Sequence, residues 1–569
     1  MRSLRFVALF ALLYVAVVVP HLSVAYLDFG DGNYLYISRR LAEGIVLYRD
    51  VLAPQPPCHL LVGSLLIRAG GVLGQSVEAQ LYVVRAFSLL LHLATMLIVW
   101  AIARRLFRRA GTALWAAALY MIIPVGFWWT LGYESEPLEM FFLLLSFLLV
   151  IRWERRSLAA AGLLAATAIS TNMTALPYVG WIALFLLWHD RQRAAWYIVP
   201  ALALAVTVVA VGEWLSGGHY LENVFLNQVG TFPHPALMSD LPPDAPFRTL
   251  RTILGYALRK VAREGTDVLA LDGIFISAAI VGLLLYLAKG AACRAPIDDR
   301  ENKSKLKSEL QAGSVSTWPV FHRSFVGWYA FWSFMAIGFV AKGATEDYIF
   351  TIGEPFVCLF AAHAISEIYD QAFGAVGKWK VSGDNLSVES YRSRVMAVGI
   401  VVLGLVVLFA RPISWIYSVV HKQSAYELPA ADVQRIRFLI EQHSKPGDAI
   451  LAAPYYAFAT RRNLVEEYSE LFIWHIKYFL EQRVEQREGP ATLKVQAIAS
   501  ALRNKTIPVV VMEMDKGTLA PRQVFSIQPV NEAIVQNYEP LLAEPIQGLN
   551  TAVNVLVPKS AIQNRGAPR

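Results

Sequence analysis

Apolar runs long enough to cross a bilayer (~20 residues) recur along the chain, divided by short polar stretches. They predict membrane helices over 4–26, 81–103, 111–130, 137–151, 194–215, 268–288, 325–341, 349–368 and 395–413. Two shorter apolar segments, 157–172 and 174–188, meet at Thr171-Asn172-Met173-Thr174 and predict an out-and-back pair. About eleven crossings result, with the N-terminus inside and the C-terminus outside. Between the first two helices lies an outer loop holding two amphipathic stretches, 34–45 and 59–69.

From about residue 421 the pattern changes. Residues 430–443 have helical periodicity and stop at Lys445-Pro446-Gly447-Asp448, and 449–453 then read as a strand. Helices over 466–487 and 491–503 follow, with strands at 507–512 and 553–557. Strands alternating with helices predict a small α/β unit. The expected fold class is therefore an α-helical polytopic membrane protein with a C-terminal extracytoplasmic α/β domain. The division falls at 1–420 and 421–569. No phosphate-cradling glycine loop, zinc signature or nucleophile elbow marks the second part, and no internal repeat at solenoid spacing is present.

Composition agrees with the pattern. Of the 569 residues 56% are apolar and only 17% charged, a balance that would leave a soluble domain with too much apolar surface. The net charge of +8 matters less than its distribution. Arg104, Arg105, Arg108 and Arg109 form one cluster, Arg152, Arg155 and Arg156 another, Arg191 and Arg193 a third. Further basic runs span Lys289–Lys307 and Lys378–Arg394. In the predicted topology all of them fall inside, which satisfies the positive-inside rule and excludes a nucleic-acid footprint. Cys58, Cys293 and Cys358 share no metal or redox spacing, and only Cys58 faces outside, so no disulfide framework is expected. Ser23-Val24-Ala25 looks like a signal cleavage site, yet the apolar run before it exceeds the roughly 7–15 residues of a signal core. An uncleaved first helix in the plasma (inner) membrane is the expectation.

Candidate chemistry gathers at the outer helix ends. Asp28 and Asp31 follow the first helix; Glu134 and Glu136 precede the fourth. Such residues commonly serve as turn formers, caps or partners of a helix dipole. Two acidic sites on separate outer loops can also divide labour: one acts as general base, the other holds a divalent cation (Mg or Mn) or orients an acceptor. Arg85 at the start of the second helix and Lys342 after the ninth can snorkel to the interface or hold a lipid phosphate. Glu354 and His363 are costly in hydrocarbon and are expected to face the protein interior, Glu354 toward the outer side. His234, within Phe232-Pro233-His234-Pro235, is an acceptor-side candidate.

The order of these features resembles the start of GT-C superfamily glycosyltransferases of the protein O-mannosyltransferase and aminoarabinose transferase type. It runs from an outward helix through an acidic loop and a Tyr/Ile-rich amphipathic helix to Tyr48-Arg49-Asp50 and Gln55-Pro56-Pro57. Glu136-Pro137-Leu138 resembles the second acidic site of that family; Arg104–Phe107, Thr171–Thr174 and Asp347-Tyr348 also fall where it has comparable features. The likeness covers about residues 1–415. It implies transfer of a sugar from a polyprenyl-phosphate donor, with inversion, to a glycan, lipid or protein acceptor on the external membrane face. The first-loop acid would be the base. Asp31 is the choice by register with Tyr34 and Ile37, and Asp28 the reserve. Gln55 stands where the family carries a lysine, which leaves the donor phosphate to Arg85 and Lys342 beside it. Tyr34, Asp50, His59, His234, Asp347, Tyr348 and Glu354 would line the substrate cavity. A transporter, whose ionisable groups usually sit near the bilayer midplane, a non-catalytic scaffold, and a lipid-linked glycan ligase are the competing readings.

Overall fold

The computed structural model describes residues 2–22, 29–51, 53–74, 76–123, 132–226, 273–287, 326, 353–377, 428, 430–467, 490–548 and 551–563. Nine helices among these build an apolar bundle: α1 (Arg2–Val18), α4 (Val77–Phe107), α5 (Ala110–Ile122), α6 (Ser135–Val150), α7 (Arg155–Ile169), α8 (Leu176–His189), α9 (Arg191–Ser216), α10 (Gly273–Leu287) and α11 (Glu354–Gly377). Two more, α2 (Phe29–Ala42) and α3 (Pro57–Leu73), lie between α1 and α4. Among the described residues α4 and α9 are by themselves long and apolar enough to cross a membrane; α1, α5, α8 and α10 are shorter apolar helices. The expected helices over 325–341, apart from Val326, and over 395–413 lie outside the described residues.

Local chemistry sets the helix ends. Ser76 caps α4 by accepting from the Ala79 amide at 3.1 Å, and Asp190 caps α9 through the Arg193 amide at 3.1 Å; such side-chain acceptors satisfy amides that have no partner within the helix. Gly217, with φ of 69°, ends α9 in the left-handed conformation that a glycine adopts without strain. Small residues allow the bundle to close. A Cβ at Gly162 on α7 would stand 2.1 Å from the Tyr197 carbonyl oxygen of α9, and one at Gly282 on α10 would stand 1.8 Å from that of Phe360 on α11. Backbones this close need glycine at the contact, as is usual where helices pack in lipid.

Two apolar cores result. The first joins α1 and α4–α11 through residues such as Val99, Leu143, Phe147, Ile182 and Phe360. The second binds α2, α3, the first turns of α4, Tyr133 and Tyr220 to the C-terminal segment. That segment holds α12 (Ala430–His443), α13 (Pro454–Thr460), α14 (Pro490–Arg503), α15 (Gln528–Asn537) and α16 (Lys559–Gln563). Strands β1 (Ala449–Ile450) and β2 (Asn463–Leu464) pair in parallel. A second sheet centres on β6 (Thr551–Pro558), antiparallel to β3 (Val510–Asp515), β4 (Tyr538–Pro540) and β5 (Ile546–Gln547). Every residue of β6 is buried, as a mostly apolar run between covered faces should be. A parallel bridge between Leu451 and Val510 links the two strand groups.

The bundle has two distinct ends. Arg104, Arg105, Arg152, Arg155, Arg191 and Arg193 occupy the turns α4–α5, α6–α7 and α8–α9, at the end away from α2 and α3. One feature differs from expectation: α2 starts at Phe29 and not at Tyr34. Gly30-Asp31-Gly32 reads as loop, but an acid in a first helical turn is favoured by the helix dipole, so Asp31 lies within the helix. The predicted helix over 466–487 falls mostly outside the described residues.

Candidate active site

At the α2–α3 end three backbone segments meet: the start of α3, the residues before α6 and the turn between α7 and α8. Pro57 opens α3 at the position where a helix tolerates a missing amide. The loop before it is drawn tight. The Tyr48 hydroxyl donates to the Gln55 carbonyl at 2.8 Å, and the Val46 amide donates to Asp50 Oδ2 at 2.9 Å. Tyr48 itself has φ of 69°, and its ring meets Tyr220 edge-on at 5.1 Å. One residue into α3, the Cys58 amide donates to the Ser170 carbonyl at 2.9 Å and joins α3 to the end of α7.

His59 lies between two tyrosines. Tyr34 of α2 meets it edge-on at 4.8 Å, and Tyr133 stacks on it at 4.1 Å while donating its hydroxyl to the His59 carbonyl at 2.7 Å. The imidazole is fully buried. Burial pushes it down to about 3, so it is neutral at physiological pH. His59 therefore connects elements here and exposes no surface to a ligand.

Tyr133 leads directly into the acidic turn. Glu134 is the N-cap residue of α6, and Glu134, Glu136 and Glu139 are all buried. Asn172, from the α7–α8 turn, donates its amide to Ser135 Oγ at 3.0 Å and to Glu136 Oε1 at 3.1 Å. The Thr174 hydroxyl donates to Glu139 Oε1 at 2.5 Å. Glu136 and Glu139 are one turn apart on one face of α6. Glu136, in the first turn, faces the positive end of the helix, and Glu139 lies a turn deeper, fully buried.

The remaining candidates are distributed as follows. Asp31 sits in the first turn of α2, one turn before Tyr34. Arg85 is fully buried on α4, and its Nη1 donates at 3.1 Å to the carbonyl of Leu22, just past α1. Glu354 is buried in the first turn of α11. His363, further along α11, stacks on Phe107 at 4.6 Å, toward the arginine end. Asp28, His234, Lys342, Asp347 and Tyr348 lie outside the described residues. The structure thus joins Tyr34 and His59 to the Glu134–Glu136 turn.

Sequence reasoning did not single out Tyr133 or Glu139, and it named Asn172 only within Thr171–Thr174, not as a partner of Glu136. Glu139 carried a usable signal, since a carboxylate within an apolar helix is costly and needs a reason. Equally absent from the reading was the opposite face of α2, where Tyr36, Arg39 and Arg40 bond to residues 457–467. Among the described residues no group of three or more His, Cys, Asp or Glu is arranged to hold a metal ion, and Glu136 Oε1 already accepts from Asn172. The described residues do not by themselves make a metal centre.

Comparison with known proteins adds the following. The dolichyl-phosphate-mannose-protein mannosyltransferase family matches over residues 59–214. That stretch runs from His59 through the acidic turn and Asn172 to the end of α9. No curated protein sequence matches the chain. Among solved structures, apo ArnT from Cupriavidus metallidurans superposes with a TM-score of 0.54 at 14% identity, covering 100% of both chains. The same protein bound to undecaprenyl phosphate gives 0.55 at 13%, covering 96% of this chain and 97% of that one. The oligosaccharyltransferase of Archaeoglobus fulgidus tethered with an acceptor peptide gives 0.54 at 12%, covering 95% of this chain and 72% of that one. The chain thus shares the fold of these structures over almost its whole length, and residues 59–214 resemble the mannosyltransferase family.

Proposed function

We propose that this enzyme transfers a sugar, with inversion, from a polyprenyl-phosphate donor to an acceptor on the external face of the plasma membrane. The observation that carries the reading is the contact chain from α2 to the acidic turn: Tyr34 on His59, His59 on Tyr133, and Tyr133 next to Glu134. It ties the helix bearing Asp31 to the helix start bearing Glu134, Glu136 and Glu139. The full-length likeness to ArnT bound to undecaprenyl phosphate supports the donor class.

In this reading Asp31 removes the proton from an acceptor hydroxyl while that oxygen attacks the anomeric carbon. The bond from that carbon to the phosphate oxygen breaks, and polyprenyl phosphate leaves with the electron pair. Glu136, held by Asn172, orients the acceptor, with Glu134 beside it. Arg85 and Lys342, with Gln55, meet the departing phosphate. Asp50, His234, Asp347, Tyr348 and Glu354 line the space around the two substrates. The bundle spans the membrane about eleven times, with the arginine end cytoplasmic. Residues 421–569 form an extracytoplasmic α/β domain over the site.

The test is turnover by the full-length protein in vesicles, supplied with a panel of polyprenyl-phosphate sugars and read as release of polyprenyl phosphate. Asp31→Asn, which keeps shape and removes the base, is expected to lose about 10²- to 10⁴-fold in rate with unchanged thermal unfolding. Wild-type turnover by Asp31→Asn would refute the assignment.

A further inference from the structure

Helix α2 has two working faces. On one, the Tyr34 ring meets His59 and the Ser38 hydroxyl donates to the Leu60 carbonyl at 3.2 Å. Tyr34 and Ser38 follow helical spacing along that face, and Asp31 belongs to the first turn of the same helix. The other face presents Tyr36, Arg39 and Arg40 to a short stretch of the C-terminal segment. The Tyr36 hydroxyl donates to Glu467 Oε2 at 2.7 Å and accepts from the Leu464 amide at 2.7 Å. Arg40 Nε donates to both carboxylate oxygens of Glu467 at 3.0 Å, and its Nη2 adds a bond of 2.5 Å. Arg39 donates to the carbonyls of Ala457 at 3.0 Å and Arg462 at 2.5 Å, around the end of α13.

Glu467 is the largely covered countercharge in this contact: its side chain is 18% exposed, that of Arg40 13%, and that of the other carboxylate nearby, Glu43, 45%. Burial pulls the Arg40 guanidinium down, but the Glu467 carboxylate outweighs it and the net shift is upward. Burial, and then the charge of Glu467, push the Tyr36 hydroxyl far up. Both therefore keep one protonation state across physiological pH. Glu466 and Glu467 are consecutive non-glycine residues in the left-handed region, with φ of 57° and 55°. L-residues hold that conformation only where their surroundings impose it; here the carboxylate is brought to two donors on α2.

We propose that Glu467 is a positioning residue for sugar transfer: by gripping Tyr36 and Arg40 it sets the rotation and depth of α2, and so the place of Asp31 relative to Glu136. The inference rests on the reading of Asp31 as the base. Misplacing a reacting group by about 1 Å can cost about 10² in rate with little change in ground-state affinity, so the signature is a loss in kcat and not in KM.

The experiment uses the full-length protein in vesicles and measures kcat, KM for donor and acceptor, and thermal unfolding. Glu467→Ala is expected to lower kcat by about 10- to 100-fold with both KM values within about twofold. Glu467→Gln, which keeps an acceptor for Tyr36 and Arg40, is expected to recover most of that loss. Where Glu467→Ala does not fold, Arg40→Lys, which ends the forked contact, carries the same expectation. Folded Glu467→Ala or Arg40→Lys with wild-type kcat overturns the inference, as does a rise in KM that accounts for the whole loss. Asp31→Asn in the same assay separates the two claims. If it is inactive while Glu467→Ala keeps its kcat, the positioning role alone fails; if it is active, the base assignment fails and takes the positioning role with it.

Discussion

At the scale of single residues, burial decides which polar groups titrate and which contacts matter. The His59 imidazole is pushed down to about 3 by burial, whereas the unfolded chain takes up a proton below roughly pH 6.5. Between those values the unfolded state binds more protons, so stability rises with pH and falls on acidification, by up to about 1.4 kcal/mol per unit. His59→Phe keeps a ring between Tyr34 and Tyr133 and removes the titration; melting curves between pH 4 and 7 should show a shallower acid loss than in the wild type. An ion pair elsewhere gives the contrast. Glu78, with its side chain 65% exposed, accepts from Arg437 at 3.1 Å. Glu78→Gln should change stability by less than about 1 kcal/mol and leave kcat untouched. The acids at positions 31, 134 and 136 stood out in the sequence because charges beside apolar helices are conspicuous. The burial of Arg85 did not, because an arginine near a helix start snorkels or turns inward according to neighbours that lie far away in the chain.

At the scale of elements, apolar spacing led to most of the bundle, since each helix must present apolar side chains over much of its own length. The structure places α4, α6 and α9 over the segments predicted at 81–103, 137–151 and 194–215. The start of α2 was misread, because glycines flanking an acid look like a turn. β4, β5 and α15 were not read at all; strands of two or three residues exist through their pairing with β6. Contact between helices is a further matter. Gly162→Ala would place a Cβ 2.1 Å from the Tyr197 carbonyl oxygen and should cost about 1–3 kcal/mol, even though alanine favours a helix. Gly180, on α8, has nothing within 4 Å of such a Cβ; Gly180→Ala should gain up to about 1 kcal/mol. Thermal unfolding of the two variants in detergent tests the pair.

At the scale of the molecule, the two apolar cores share α4, the second taking its opening turns and the first the rest, and α2 lies in the second. The proposed catalytic helix is thus packed with a segment more than 400 residues away in the chain: Arg40 and Glu467 are 427 positions apart. Removing residues 428–569 would uncover Leu35, Tyr36 and Ile37, all of them fully buried. The shortened chain should fail to accumulate as a monodisperse species in size-exclusion chromatography, and a well-folded product would contradict the shared core. The amino-acid sequence by itself determined the membrane class, most of the bundle helices and the acids at their ends. Hydrocarbon demands some 20 apolar residues in a row, and that demand is written locally. Tertiary structure alone decided that Asn172 meets Glu136, that Thr174 meets Glu139, that Arg85 turns to Leu22, and that Glu467 grips the back of α2. Each of these is a directional bond between single atoms, whose geometry depends on where whole helices come to rest and leaves no periodic trace in the sequence.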